Sequence, residues 1–282
     1  MTSSVTARQV IKTHLFQVVV FFPSKQFVFL RRHSSYKSDQ TRGIATMIKI
    51  VSFKICPFAQ RVTAMLEAKQ IPYDIEYIDL KNKPEWFLDI SPTVQVPMLI
   101  SEAGQSLFES DAIVEYIDEI SAPIQLGLTA EQRAINRAWS YQASKHYLVQ
   151  CSMMQSGDKT VLDEREAKLH KSFEKAERQL GDGPYFSGDA FGNVDLAWLP
   201  LLHRAAIVEE HRGYDMLAQF PKVKGWQQVL LETGIPAKSV PEDFHQRFSD
   251  FYLAERTWLG RGASLNEPHS KPEHNKAGGC CG

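Results

Sequence analysis

The sequence predicts two domains, an α/β domain followed by an all-α domain. Residues 48–77 show a strand, a helix and a second strand in succession, the pattern of a βαβ unit with two parallel strands. After a proline-containing linker at residues 121–127 the strand pattern is absent, and long segments follow the period of helices. A chain of 282 residues can bury a core in each of two domains. We expect these domains at residues 47–121 and 128–259.

The α/β domain begins with an apolar run, Ile48–Phe53, which predicts a short buried strand. A helix is predicted directly behind it, because Pro57 suits the first helical position. Its apolar residues recur at helical spacing and are Phe58, Val62, Met65 and Leu66. Apolar and acidic residues then alternate through Tyr73–Tyr77, which indicates the second strand.

The rest of the first domain is predicted to contain a short helix, a hairpin and a final helix. The short helix is entered at Pro84, and Pro97 heads the strand at residues 98–100, where a missing N–H is tolerated. Residues 106–109 are expected to pair back on that strand, and Ser110 to cap the next helix. The predicted order is therefore β-α-β-α-β-β-α.

The second domain is predicted to be built from helical segments alone. They lie at residues 129–155, 162–180, 193–208, 221–232 and 241–259. The first opens with Thr129 and Gln132 at the spacing of a capping box. The third is apolar on every side, so we expect it at the centre of the domain, with Asp195 in its first turn.

Charge and cysteine content exclude several function classes. The formal net charge of −1 gives no basis for binding nucleic acid or an anionic membrane. The four cysteines, Cys56, Cys151, Cys280 and Cys281, do not form a disulfide framework, and none has zinc-ligand spacing. We therefore predict no metal site and a reducing compartment.

The two ends differ from the rest of the chain. Residues 1–46 are basic and rich in serine and threonine, with no acidic residue before Asp39, a composition typical of a mitochondrial or plastid transit peptide. Because Met47 directly precedes the first predicted strand, the segment is equally consistent with an upstream start that the cell does not use. Residues 260–282 are polar and are predicted to be disordered.

Cys56 is the candidate catalytic residue. It falls between the first predicted strand and helix, where the positive end of the helix dipole favours a thiolate and lowers the pKa of a thiol. Lys54 and Arg61 could add to this effect if they point toward the sulfur. The alternative is a small buried cysteine with a structural role.

In its motifs the chain resembles the glutathione transferases, and most of all their omega class. The motifs are Cys56-Pro57-Phe58, Lys81-Asn82-Lys83-Pro84-Glu85-Trp86-Phe87, Val96-Pro97 and Glu109-Ser110. The resemblance covers about residues 47–258. It implies a thioredoxin-like, glutathione-binding domain followed by a helical substrate domain, usually in a homodimer.

The resemblance also implies which residues bind glutathione. They are Phe58, Lys83, Val96, Pro97, Glu109 and Ser110. Glu109 would meet the α-amine, Ser110 the γ-glutamyl carboxylate at a helix N-terminus, and Lys83 the glycine carboxylate. Val96 would pair its backbone with the cysteinyl part of glutathione. The family pattern makes Val96-Pro97 a cis peptide bond.

The residue type at position 56 implies the chemistry. Many glutathione transferases place tyrosine or serine there and activate the glutathione thiolate for conjugation, whereas a cysteine can form a mixed disulfide. Position 59 is alanine, so no second thiol of a C-x-x-C motif is present. The resemblance therefore implies a cytoplasmic, glutathione-dependent thiol transferase and dehydroascorbate reductase, located in mitochondria or plastids if residues 1–46 are a transit peptide.

Two alternatives remain from other functional classes. Intracellular chloride channel proteins share the fold and a Cys-Pro-Phe-x-Gln-Arg motif, which Gln60 and Arg61 match. Against that alternative, the helix after Cys56 carries charged residues and no apolar run of about 18 residues follows. The second alternative is a protein that binds glutathione without turning it over.

Overall fold

The computed structural model describes residues 47–262, and the structural statements below concern that part of the chain. The predictions for residues 1–46 and 263–282 lie outside it. Residues 260 and 261, which the sequence assigned to the tail, belong to a short helix.

A four-stranded sheet forms the first part of the fold. Its strands are β1 (Ile48–Ser52), β2 (Tyr73–Tyr77), β3 (Met98–Ile100) and β4 (Ser106–Leu107), in the spatial order β2-β1-β3-β4. β1 runs parallel to β2, and β3 is antiparallel to both β1 and β4. With the helices α1 (Pro57–Ala68), α2 (Glu85–Ile90) and α3 (Ser110–Glu119), the predicted order of elements is confirmed.

The sheet is covered on both faces. Ile50 and Leu99 belong to a buried cluster with residues of α1 and α3, including Met65 and Ile113. Their neighbours on the same strands, Val51 and Met98, belong to a second cluster with Phe87 of α2 and Cys56. Because successive residues of a strand point to opposite faces, these clusters lie on the two sides of the sheet.

The second part of the fold is entirely helical, as predicted. Its helices are α4 (Ala130–Met154), α5 (Lys159–Gln179), α6 (Asn193–Arg212), α7 (Pro221–Glu232), α8 (Ile235–Lys238), α9 (Phe244–Tyr252) and α10 (Trp258–Arg261). α6 is buried along most of its length and packs against α4, α7 and α1. The expectation that residues 193–208 form the central helix is therefore confirmed, and α6 also joins the helical part to the sheet.

The start of α4 has the predicted capping box. The backbone N–H of Thr129 donates to Oε1 of Gln132 at 2.8 Å, and the N–H of Gln132 donates to Oγ1 of Thr129 at 3.2 Å. The start of α3 differs from the prediction by one residue. Ser110 is its first helical residue, and the N-cap is Glu109.

The segment predicted as one helix at residues 241–259 is two short helices. α9 ends at Tyr252, and the N–H of Trp258 donates to the carbonyl of Ser156 at 2.7 Å, near the end of α4. The hydroxyl of Thr257 accepts from the N–H of Gly260 at 2.9 Å and caps α10. This tertiary contact and new cap break the helix, and neither is visible in the local apolar spacing.

Asp195, in the first turn of α6, is a buried acceptor for three donors. Its carboxylate accepts from the N–H of Phe186 at 2.9 Å, from the N–H of Gly192 at 2.7 Å and from the indole N–H of Trp226 at 2.7 Å. Burial raises the pKa of Asp195 to about 6, although these hydrogen bonds oppose the rise. The residue holds the loop before α6, the helix itself and α7 together.

Residues 47–262 were compared with what a membrane-crossing helix requires in length and apolar character. No helix in that range combines the length and the apolar character that such a span needs.

Candidate active site

Cys56 joins β1 to α1, as predicted. Its backbone is extended, its carbonyl accepts from the N–H of Gln60 at 3.1 Å, and Pro57 is the first helical residue. The first turn of α1 carries no acidic side chain, so nothing there offsets the positive end of the helix dipole. Cys56 is only 3% exposed and belongs to the same buried cluster as Val96.

The basic residues that flank Cys56 in the sequence are both bound to carboxylates. Nζ of Lys54 lies 2.7 Å from Oδ2 of Asp243, just before α9. Arg61 forms an ion pair with Asp111 of α3 and is almost fully buried, and this burial lowers the pKa of Arg61. Their positive charges are therefore compensated by ion pairs with α3 and with the segment before α9.

A third cation, Arg204 of α6, lies under the loop that carries Cys56. Arg204 is fully buried and donates to the carbonyls of Ile55 at 3.2 Å and of Pro200 at 3.1 Å, and to Oε1 of Gln60. That contact orients the Gln60 amide, whose Nε2 then donates to Nδ1 of His203 at 2.8 Å. Burial, and next the charge of Arg204, lower the pKa of His203 to about 3, so this imidazole is neutral.

The Arg204 network gives Gln60 a structural role. The sequence motif places Gln60 next to Arg61, and the structure shows both side chains binding α1 to other helices. Arg204 was not predicted as a site residue, although the sequence contains a signal for it. An arginine within a helix that is apolar on every side has to find buried hydrogen-bond partners.

A cavity of about 260 Å³ brings together five of the predicted glutathione-binding residues. It is lined by Phe58, Val96, Pro97, Glu109 and Ser110, together with Thr93, Gln95 and Leu148. The Val96-Pro97 peptide bond is cis, as the family pattern implies. Cys56 does not line this cavity. It belongs to the same buried cluster as Val96, and Phe58 packs against that cluster.

Glu109 and Ser110 form the entrance to α3. Glu109 has φ = 64°, a strained value for a residue other than glycine. Ser110 is buried and begins the helix, so its backbone N–H has no partner within the helix. Since the charge of neighbouring Asp111 is paired with Arg61, this helix start is suited to binding a carboxylate.

Lys83 lies at the edge of the same region without lining the cavity. Its Nζ donates to the carbonyl of Val94 at 2.9 Å. Val94 has φ = 55°, and the loop that follows it contributes Gln95 and Val96 to the cavity wall. This hydrogen bond holds the ammonium group beside the cavity. The group has further N–H donors that a carboxylate could accept.

α4 contributes to the site from the helical part. The Phe58 ring meets the Tyr147 ring edge to face, with centroids 5.1 Å apart, and Leu148 lines the cavity. Leu148, Thr93 and Gln95 were not predicted. For Leu148 no local signal exists, because its role depends on how α4 packs against α1.

A second, larger cavity is lined in part by the loop before Cys56. Its volume is about 660 Å³. It is lined by Phe53, Lys54, Ile55, Tyr77, Ile78, Asp79, Arg247, Asp250, Phe251 and Arg256. The sheet and α9 both contribute to it, and the segment directly before Cys56 forms part of its wall.

The sheet order, the cis-proline cavity and the helices around α6 define a thioredoxin-like domain joined to the helical domain of a glutathione transferase. The glutathione S-transferase N-terminal domain model matches residues 55–120, and the corresponding C-terminal domain model matches residues 159–227. The chain belongs to the glutathione S-transferase family. Within the family it is similar to the omega class.

Two relatives illustrate the similarity in sequence. Glutathione S-transferase omega-1 of Sus scrofa is 30% identical over 215 residues, which cover 73% of this chain and 86% of that protein. The probable cytosolic glutathione S-transferase DHAR1 of Oryza sativa subsp. japonica is 30% identical over 191 residues, covering 66% of this chain and 85% of the relative.

Solved structures support the same fold. Glutathione transferase Omega 3C from Trametes versicolor superposes with a TM-score of 0.61 at 25% identity, over 70% of this chain and 91% of that one. A tau class glutathione S-transferase from mango gives a TM-score of 0.63 at 22% identity, over 75% and 99% of the two chains. The second similarity concerns the fold alone.

Proposed function

We propose that this protein is a glutathione-dependent thiol transferase that also reduces dehydroascorbate, with Cys56 as the catalytic residue. One observation carries the proposal. Cys56 is the N-cap of α1, and it shares a buried cluster with Val96, which lines the cavity together with Glu109 and Ser110. Similarity to omega-class transferases and to a relative named DHAR1 supports it.

Glutathione binds along the smaller cavity in this proposal. Its γ-glutamyl carboxylate meets the N-terminus of α3 at Ser110, and its α-amine meets the carboxylate of Glu109. The cysteinyl part pairs with the backbone of Val96, which places the glutathione sulfur toward Cys56. Lys83 binds the glycine carboxylate, and Phe58 forms the wall of the site.

Two thiol–disulfide exchanges complete a cycle. The Cys56 thiolate attacks the glutathionyl sulfur of a mixed disulfide, forms Cys56–S–S–glutathione and releases the substrate as a thiolate. A glutathione thiolate then attacks that glutathionyl sulfur, which restores the Cys56 thiolate and yields oxidised glutathione. For dehydroascorbate, two glutathione molecules supply the two electrons and leave as the same disulfide.

The larger cavity is the proposed binding place for the second substrate. Phe53, Lys54 and Ile55 line it and directly precede Cys56, while Phe251 of α9 forms part of its opposite wall. Glutathione and the acceptor would then occupy different cavities. In a homodimer, each protomer would hold its own pair of cavities.

The location of the protein in the cell depends on which of the two alternatives for residues 1–46 is correct. Related proteins carry the names cytosolic and chloroplastic. We propose a cytoplasmic protein, or a mitochondrial or plastid one where residues 1–46 act as a transit peptide.

A paired activity assay tests the proposed reaction. We expect the protein to reduce hydroxyethyl disulfide and dehydroascorbate efficiently and to conjugate a chlorodinitrobenzene-type aryl halide poorly. Cys56 offers no hydroxyl donor to a free glutathione thiolate, so that thiolate is not stabilised for attack on the aryl halide. A clear preference for the aryl halide would contradict the proposal. Glutathione binding without either activity would favour the non-enzymatic alternative.

Replacing Glu109 with alanine is expected to weaken glutathione binding. Loss of a charge-assisted hydrogen bond to the α-amine typically costs about 1.5–3 kcal/mol, or roughly 10- to 150-fold in the dissociation constant. Isothermal titration calorimetry measures this directly. Glu119→Ala, at the exposed far end of α3, is the matched control and should bind glutathione as the unaltered protein does. An unchanged dissociation constant in Glu109→Ala would show that Glu109 does not bind glutathione and serves only as the N-cap of α3.

A further inference from the structure

The end of α6 and the start of α9 bring three potential metal ligands together. They are Glu210 and His211 of α6 and His245 of α9, and one ligand atom of each lies within 4.8 Å of the other two. All three residues are exposed. Within residues 47–262 none of these side chains takes part in a hydrogen bond or an ion pair, so their ligand atoms are available.

Neighbouring groups are committed elsewhere, which distinguishes these three residues from their surroundings. Glu209 is paired with Lys224, and the ammonium group of Lys224 also lies 3.0 Å from Asp215. Nδ1 of the nearby His203 accepts from Gln60. The charge of Lys224 is therefore balanced by two carboxylates, and neither of them is a proposed ligand.

We propose that Glu210, His211 and His245 bind a zinc ion that links α6 to α9. Two imidazoles and one carboxylate form a common three-ligand zinc set, with water at the fourth position. Zinc–ligand bonds of about 2.0–2.2 Å bring ligand atoms closer together than the 4.8 Å limit within which these three lie. Small rotamer changes suffice, because the side chains are exposed and the His211 and His245 rings are 6.4 Å apart between centroids.

This site was not anticipated from the sequence, which predicted no metal site. Zinc motifs are recognised by close spacing of their ligands along the chain. Here two ligands are adjacent on one helix, and the third lies on another helix that only the fold brings near.

Bound zinc would restrain α9 against the rest of the molecule. Asp243, directly before α9, is the partner of Lys54, which lies two residues before Cys56. Arg247 and Phe251 of α9 line the larger cavity. The metal link would thus stabilise one wall of that cavity. The zinc site itself does not depend on the proposed reaction.

Zinc binding to the full, reduced, metal-free chain tests the proposal. A chromophoric zinc chelator would compete for the metal, and stoichiometry and affinity would be compared between the unaltered protein and the variants His245→Ala, His211→Ala and Glu210→Gln. We expect both histidine variants to lose one equivalent of bound zinc and Glu210→Gln to bind that equivalent more weakly. The control variant His146→Ala removes a histidine of α4, which is not part of the proposed site, and should lose no bound zinc.

The chain contains other zinc-binding side chains, so a second control is needed. His269, His274, Cys280 and Cys281 follow the described residues in the sequence. The double variant Cys280→Ser/Cys281→Ser should keep the equivalent that His245→Ala loses. If His245→Ala and His211→Ala bind zinc with the stoichiometry and affinity of the unaltered protein, the proposal is wrong.

Thermal unfolding provides an independent measurement. A ligand that binds the folded state raises the melting temperature by mass action. Zinc should therefore raise the melting temperature of the unaltered protein more than that of His245→Ala, while the two should melt alike without zinc because His245 is exposed. An equal zinc-induced shift in both proteins would also contradict the proposal.

Discussion

Substitution of Cys56 by serine is expected to reduce disulfide exchange and dehydroascorbate reduction by at least about 10³-fold, the scale seen when a catalytic nucleophile is removed. A serine hydroxyl cannot form the mixed disulfide on which both reactions depend. Glutathione should still bind with nearly unchanged affinity, because Glu109 and Ser110 lie on α3 and are untouched. Steady-state assays and isothermal titration on the same preparation separate the two effects.

Cys151→Ala is the matched control for the loss of Cys56. Cys151 lies in α4 and is buried to a similar extent, 2% exposed against 3% for Cys56. It belongs to the core cluster of the helical part, and we expect this variant to keep its activity. Full reductase activity in Cys56→Ser would instead mean that another thiol performs the reaction.

Substitution of Asp195 by alanine is expected to give the largest loss of stability. It leaves the N–H groups of Phe186 and Gly192 and the indole N–H of Trp226 without their acceptor. A buried polar group that loses its partner costs about 1–3 kcal/mol, so the free energy of unfolding should fall by at least about 3 kcal/mol. Denaturant-induced unfolding measures this difference.

Asp189→Ala is a suitable control for Asp195→Ala. Asp189 is an exposed carboxylate in the loop before α6, and its removal should change the free energy of unfolding by less than about 0.5 kcal/mol. Equal losses in both variants would show that the buried hydrogen bonds of Asp195 do not determine the stability of this region.

The pH dependence of stability should reflect the raised pKa of Asp195. Its folded-state pKa of about 6 lies above the ordinary value of 3.8, so folding favours the protonated form. The contribution of this proton to stability is complete below pH 3.8 and is lost as the pH rises through about 6. Asp195→Ala should lack this component, so the stability gap between the two proteins should narrow over that range.

The elements of the fold were predictable because their signals are local. Alternation marks β2, the cap and apolar spacing mark α4, and the all-round apolar character of α6 marks its central place. The helix expected at residues 241–259 was predicted wrongly, because the contact of Trp258 with Ser156 depends on tertiary structure. The cap at Thr257 likewise has meaning only once that turn has formed.

The candidate site divides in the same way. The family motifs led to Phe58, Val96, Pro97, Glu109 and Ser110, and the structure brings all five to one cavity. Arg204 and Leu148 reach the site only because α6 and α4 pack against α1. The ion pair between Lys54 and Asp243 was equally inaccessible, since its two partners are far apart in the sequence.

The buried roles of Gln60 and Arg61 bear on the motif shared with chloride channel proteins. Gln60 binds His203 and Arg204 of α6, and Arg61 binds Asp111 of α3. These contacts hold α1 in a glutathione transferase fold whether or not the protein is an enzyme. The motif therefore does not discriminate between the two functions.

Mass spectrometry after incubation with oxidised glutathione tests whether Cys56 forms a mixed disulfide. Cleavage after basic residues yields a peptide of residues 55–61 that carries Cys56, while Cys280 and Cys281 fall on a different peptide. We predict one glutathione adduct on the Cys56 peptide, which reduced glutathione removes and which Cys56→Ser lacks. An unmodified Cys56 peptide in a preparation that actively reduces disulfides would show that Cys56 is not the catalytic residue.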